Sequence, residues 1–169
     1  MIKIKIIQGD ITKSSVDAIV NAANTTLMGG GGVDGAIHHA SGPKLDEACA
    51  KLHGCKTGEA KTTPGFNLPA KFIIHTPGPI WRGGHSNERE LLRNSYKNCL
   101  KEAEKHQCAS VDFPSISTGV YHFPLNEAAQ IAISSIKEFK AHFIKQIRIV
   151  AFDPVTKTAY EKALKDKEK

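Results

Sequence analysis

The sequence predicts an α/β fold, a central sheet with helices on both faces, and three observations carry that prediction. Short apolar runs of strand length alternate with longer stretches whose apolar residues return every three or four positions. Glycine and proline clusters fall between these segments, where turns belong. The 169 residues, 40% hydrophobic and 24% charged, suit one globular domain over residues 1–169, large enough to bury a core without metal or disulfide staples.

Residues 2–8 (IKIKIIQ) alternate apolar and polar side chains, the pattern of a strand with one buried face. Residues 17–23 (DAIVNAA) form a second, more uniformly apolar strand segment. Four glycines follow at 29–32, then VDGAIHHA begins a helix and Pro43 opens another to about Leu52. Glu59 to Thr63 and Lys71 to Thr76 are strand segments, with turns at Pro64-Gly65 and Leu68-Pro69 between them. Residues 77–87, holding Pro77, Gly78, Pro79, Gly83 and Gly84, form a loop. From about Asn87 to His106, Leu91, Leu92, Tyr96, Cys99, Leu100 and Ala103 recur at helical spacing. Ser110 to Phe113 is a short strand running into the loop PSISTGVYHFP. Asn126 is expected to cap a helix reaching about Lys140. Gln146 to Phe152 forms the last strand and Pro154 to about Lys165 the last helix. Strands interleaved with helices place the helices on both faces of the sheet.

Composition excludes several classes. The start, MIKIKIIQGDIT, lacks the apolar stretch of a signal peptide, and no window approaches the ~20 apolar residues that span a bilayer. An intracellular, cytoplasmic protein with no membrane partner is therefore expected. Cys49, Cys55, Cys99 and Cys108 form no C-x-x-C pair, so no zinc site or redox motif is expected, only free thiols. The net charge is +6. Two of those charges come from the tail, where Lys157, Lys162, Lys165, Lys167 and Lys169 outnumber Glu161, Asp166 and Glu168. Such a field favours a phosphorylated ligand. With seven Phe, three Tyr, one Trp and no basic-aromatic cluster, nucleic acid is not expected as the main partner.

Two loops leave predicted strands and enter predicted helices, the positions where α/β sheets collect ligands. The first runs from Asn21 to Asp34 and contains Gly29-Gly30-Gly31-Gly32, which make sense where backbone must approach a ligand and turn its amides toward phosphate oxygens, the alternative for this loop alone being a structural turn. The second, Ser115 to Tyr121, combines hydroxyls with Gly119. Together they suit a diphosphate. Neither loop is a P-loop, and no G-x-G-x-x-G follows the first strand.

The segments GDIT (9–12), VDAIVNAAN (16–24), GGGGVDGAIH (29–38), LPAKFIIHT (68–76) and FPSISTGVYHFPL (113–125) resemble the macrodomain pattern. Within that family they resemble the ADP-ribosyl and O-acetyl-ADP-ribose hydrolases. His39, Pro77 and Phe66 depart from the pattern. The resemblance implies a three-layer α/β/α macrodomain with a mixed central sheet of about six strands, and a ligand that is ADP-ribose or a derivative.

It further implies that Asp10 recognises the adenine amino group with Ile11 contributing backbone, although Asp10 could equally cap a turn. Gly32, Val33 and Asp34 match the first phosphate and distal-ribose loop; Ser117, Thr118, Gly119, Val120 and Tyr121 match the second. Asn24 would meet the distal ribose hydroxyls, or else satisfy its own loop. Asp34 would act as the general base or position a water, or else serve only as a favourable acid at a helix start. Asn24 and Asp34 are thus the expected catalytic pair. His38, one turn later, shares Asp34's helix face, as a packed ring or an assistant; His75 is expected to be structural and Trp81 has no assigned role. A hydrolase needing neither metal nor cofactor is expected, possessing ADP-ribosylated proteins among its partners. The rival is a reader that binds ADP-ribose without turnover.

Overall fold

The computed structural model describes residues 1–168; Lys169, the last of the tail lysines and of the expected domain span, lies outside the described residues. The elements are β1 (Lys3–Gln8), a 3-10 turn (Ile11–Lys13), β2 (Ala18–Ala23), α1 (Gly32–Ser41), α2 (Pro43–Ala50), β3 (Lys61–Pro64), β4 (Phe72–Pro77), α3 (Glu88–Lys105), β5 (Ser110–Phe113), α4 (Leu125–Glu138), β6 (Gln146–Ala151) and α5 (Pro154–Lys167). One expectation is corrected: Asn126 does not cap α4. Pro124 occupies that position with an extended ψ of 124° and no side-chain bond, and the helix takes hold directly after it. Asn126 therefore lies inside the first turn, past the point where its side chain could serve as a cap.

The sheet has six strands in the order β1-β6-β5-β2-β4-β3, all neighbouring pairs parallel except β3 with β4. Parallel neighbours require crossovers, and the helices supply them. Period-two alternation divides the strands between two cores. In β2, Ala18 and Val20 join the cluster under α3, α4 and α5, while Ile19 and Ala23 join the cluster under α1 and α2. The mixed α/β/α layering expected from the sequence is the layering observed. Exposed Lys3 and Lys5 mark the β1 edge, and β3 is short and ends in Pro64, so neither edge invites another strand. No helix among the described residues is long and apolar enough to cross a membrane.

All four cysteines are free and buried, and burial pushes the Cys49, Cys55 and Cys108 thiols up to about 11. Thiolate chemistry is correspondingly suppressed.

Because β1, β6, β5, β2 and β4 run parallel, their carboxyl ends share one edge of the sheet. Every loop that the sequence marks as chemical emerges there. Below that edge, Arg148 on β6 grips its cross-strand partner Asp112 on β5 with both arms, Nε to Oδ1 at 2.9 Å and Nη2 to Oδ2 at 2.6 Å. Asp112 is wholly buried. Arg148→Met is therefore expected to cost about 3–5 kcal/mol in urea unfolding, because it strands a buried carboxylate. The double variant with Asp112→Leu should recover much of that loss, and an equal loss in both would contradict the pairing argument.

Candidate functional site

The first loop is braced from within. Asn24 Oδ1 accepts from Leu27 N at 3.1 Å and Thr26 Oγ1 at 2.7 Å, and Asn24 Nδ2 donates to Gly29 O at 2.8 Å. Leu27 adopts a left-handed φ of 63° and is fully buried, anchoring the loop to the core below. Gly29 and Gly32 also take positive φ, which glycine tolerates without a steric penalty. A side chain on Gly31 or Gly32 would meet nothing within 4 Å, so this stretch borders open space. Helix α1 begins there with Gly31 as its cap and no side-chain bond to its first turn. Its leading amides are left for water or an anion.

Asp34, in that first turn, is buried. Its Oδ1 accepts from Asn21 Nδ2 at 2.9 Å and lies 3.4 Å from Nε2 of His38. Its Oδ2 faces the loop: a carbon built on Gly30 would stand 3.2 Å from Asp34 Oδ2 and 3.4 Å from Asn24 Nδ2. Asn24 and Asp34, paired in the sequence reading, thus converge on one glycine. Burial raises the Asp34 carboxyl above the ordinary 3.8, against the Asn21 hydrogen bond and the field of His38.

Asn21 and His75 are cross-strand partners on β2 and β4. An ionised carboxylate only accepts, so Asn21 must offer its amide nitrogen to Asp34, and the same nitrogen reaches His75 Nδ1 at 3.1 Å. His75 Nε2 then donates to Thr63 Oγ1 at 2.9 Å. His75 is structural, as expected, but it is structural on behalf of Asp34. Asn21 has no role assigned from the sequence, where the one available signal is a polar residue inside an apolar strand.

The second loop leaves β5, the sheet neighbour of β2. Ser117 takes a positive φ of 66°, and its buried Oγ has no partner among the described residues. Thr118 Oγ1 is engaged with Ser115 Oγ at 2.6 Å, and that hydroxyl contacts Tyr160 at 2.8 Å, so these hydroxyls brace the loop. Gly119 borders open space and Val120 is exposed. A carbon on Gly78 would fall 2.2 Å from Ser117 Oγ, so only glycine lets the end of β4 lie against this loop. Tyr121 O accepts from Trp81 N at 2.9 Å, and the Trp81 ring packs on Phe123 beneath the Arg89 guanidinium. Trp81 therefore joins the 77–87 loop to the second loop. Buried Glu88 ties that neighbour down by accepting from the amides of Arg82, Gly84 and Ser86. Burial alone would raise its carboxyl, but these donors outweigh it and bring it to about 2.

At the far end of the edge, Asp10 caps the 3-10 turn, its Oδ1 accepting from Thr12 N at 3.0 Å and Thr12 Oγ1 at 2.7 Å. The side-chain hydrogen bond from Thr12 is the main force holding the Asp10 carboxyl below its ordinary value. Ile11 is buried in the core, and Gly9 N donates to Ala151 O at 2.9 Å, which ties this turn to the end of β6. There Phe152 stands 80% exposed, just past β6, the strand paired with β1.

Burial lowers His75 from 6.5 to about 3, with the field of His38 in support. The unfolded chain takes up this proton first, so stability should be intact above 6.5 and fall as the pH drops toward 3. The slope for one proton is about 1.4 kcal/mol per pH unit. Urea unfolding between pH 7 and 5 reads it, and His75→Gln should flatten it; an unchanged slope in the variant would contradict the neutral buried ring.

The geometry has counterparts. A model of the Macro domain matches residues 20–132. A macro domain-containing protein of Lactiplantibacillus plantarum is 60% identical over 97% of this chain and 97% of its own length. The O-acetyl-ADP-ribose deacetylase of Salmonella typhimurium is 49% identical over 96% of this chain and 94% of its own. Among solved structures, the Oceanobacillus iheyensis macrodomain with ADP superposes at a TM-score of 0.92 and 45% identity, covering 96% of this chain and 90% of that one. With a family model over residues 20–132, a closely superposing solved fold and relatives aligned almost end to end, this chain belongs to the macro domain family.

Proposed function

We propose that this macro domain binds ADP-ribose along the carboxyl edge of its sheet and hydrolyses ester linkages at the distal ribose. The substrates are O-acetyl-ADP-ribose, proteins mono-ADP-ribosylated on Asp or Glu, or both. Asp10 and the backbone at Ile11 hold the adenine, with the exposed Phe152 ring as its platform. The diphosphate lies between Gly32-Val33 at the start of α1 and the loop from Ser117 through Thr118, Gly119 and Val120 to Tyr121. Uncapped amides, open space at Gly31, Gly32 and Gly119, and the unpartnered Ser117 hydroxyl support this placement. A ligand of this class is supported by the Oceanobacillus iheyensis macrodomain, solved with ADP, and by the Salmonella typhimurium relative named for O-acetyl-ADP-ribose.

The observation that carries the hydrolase reading is Asp34: a buried carboxylate, held by Asn21 through one oxygen and turned toward the loop with the other. Its raised pKa makes it a better proton acceptor than an exposed aspartate. In the reaction, Asp34 takes a proton from a water as that water's oxygen bonds to the acyl carbon. The tetrahedral intermediate then loses the ribosyl oxygen, which receives the proton. The products are ADP-ribose and a carboxylic acid, acetic acid in one case and the protein side chain in the other. Asn24, with one amide hydrogen on Gly29 O, has its second for a ribose hydroxyl.

The reader alternative draws on the same Asn24, whose oxygen is already occupied by Leu27 N and Thr26. Hydrolysis of O-acetyl-ADP-ribose and of a mono-ADP-ribosylated acidic protein by wild type and Asp34→Ala, with ADP-ribose affinity measured in parallel, separates the two. The variant should lose about 10²–10⁴ in kcat with affinity nearly unchanged. Tight binding without wild-type turnover would make the protein a reader. Since only ionised Asp34 accepts a proton, kcat should fall toward acid along a limb whose midpoint lies above 3.8; a limb at or below that value would contradict the base assignment.

A further inference from the structure

The ring beside Asp34 is held from its far side by a residue with no assigned role. His38 is nine-tenths buried, its Nε2 3.4 Å from Asp34 Oδ1 and without a hydrogen-bond partner among the described residues. Its Nδ1 lies 2.7 Å from Oδ1 of Asp46, a half-exposed side chain on α2. The fold creates this contact through Gly42, whose φ of 91° turns the chain sharply between α1 and α2 and brings Asp46 back over His38.

The donor count settles the tautomer. An ionised Asp46 can only accept, so Nδ1 must carry the hydrogen and Nε2 of the neutral ring is bare. A bare Nε2 and an ionised Asp34 are both acceptors, and they stand apart at 3.4 Å. One added proton converts that gap into a hydrogen bond.

We propose that Asp46 is a positioning residue for hydrolysis at Asp34, acting through His38 by fixing the tautomer whose bare Nε2 shares the proton that Asp34 takes from water. The inference rests on the base reading of Asp34. The proton passes from water to the Asp34 carboxyl, is shared with Nε2 when it rests on Oδ1, the oxygen 3.4 Å from that nitrogen, and returns through Asp34 to the departing ribosyl oxygen, so none is gained or lost. The groups facing the ring favour this sharing. Asp34 on its own helix and Asp46 on α2 are negative; His75 on β4, 6.3 Å away between ring centroids, is uncharged, and Cys49 on α2 remains a thiol.

The test uses Asp46→Ala, Asp46→Asn and Asp46→Glu, with kcat and KM on O-acetyl-ADP-ribose, ADP-ribose affinity, and the ¹⁵N shifts of the His38 ring. Asp46→Ala should lower kcat about ten- to hundred-fold, a part of the roughly 10²–10⁴ that proton transfer supplies, with KM and affinity within about twofold. Its His38 shifts should move from one tautomer to a mixture. Asp46→Asn, whose amide oxygen still accepts from Nδ1, should keep the tautomer and lose less kcat, and Asp46→Glu should restore most of it. Wild-type kcat in Asp46→Ala, alongside a dead Asp34→Ala, would overturn this inference and leave the base reading standing. A fall in kcat matched by weaker affinity, or an unchanged tautomer, would also overturn it. A wild type without turnover would remove both readings.

Discussion

Asn21 is the residue on which the site depends. A carboxylate removed from water loses several kcal/mol of solvation unless donors replace it. Here the donor is one side-chain amide in the middle of β2, between β5 and β4. The strand's backbone is locked in the sheet and the side chain projects toward α1, so Asn21 cannot easily follow Asp34 if the helix shifts. The amide also bonds His75, and His75 bonds Thr63, so its orientation is set from three elements. The result is a carboxylate anchored through one oxygen with the other free to act. On the proposed reading, preorganisation of this sort places the cost of holding the base in folding and not in each turnover.

The two loops solve a related problem. On the proposed reading, each brings backbone amides to a ligand without burying many polar groups that lack partners. The first does so through Asn24, which satisfies three groups of its own loop, and through Leu27, which secures the loop to the core. The second relies on a layer beneath it: Gly78 allows close approach, Trp81 ties across to Tyr121, and Glu88 gathers three amides of the adjoining turn. The Thr118 hydroxyl, which looks like a ligand contact in the sequence, is also engaged with Ser115 inside the loop. In the second loop the Ser117 hydroxyl is left unpartnered, and at the end of the first the leading amides of α1 lack a side-chain cap.

How much of this is legible in the sequence follows from the range of the interactions. Strand and helix segments are local patterns, and β5 falls at Ser110–Phe113, as the pattern indicates. The α4 cap departs from the pattern because Asn126 is a good capping residue while Pro124, a poor one, is held extended and takes the position. The first loop stands out because four adjacent glycines pack no core and are costly to order, and the second because hydroxyls gather around Gly119 just beyond a strand. The residues behind the loops do not stand out. Asn21 meets His75 only through the register of β2 on β4, and Asp46 meets His38 only through the turn at Gly42. No spacing in the sequence encodes those pairings. Asp10 and Phe152 are obscure for a simpler reason: a capping aspartate and an exposed aromatic are each commonplace alone, and they become informative when β1 and β6 are seen side by side.

The most direct measurement is a crystal structure of the protein with ADP-ribose bound. The distal ribose should lie over Gly30, with a hydroxyl on Asn24 Nδ2 and a water about 3 Å from Asp34 Oδ2, aligned toward the site of the ester. A ribose directed away from Gly30, with Asp34 Oδ2 shut off from ligand and water by the first loop, would contradict the claim that this carboxylate acts on the substrate.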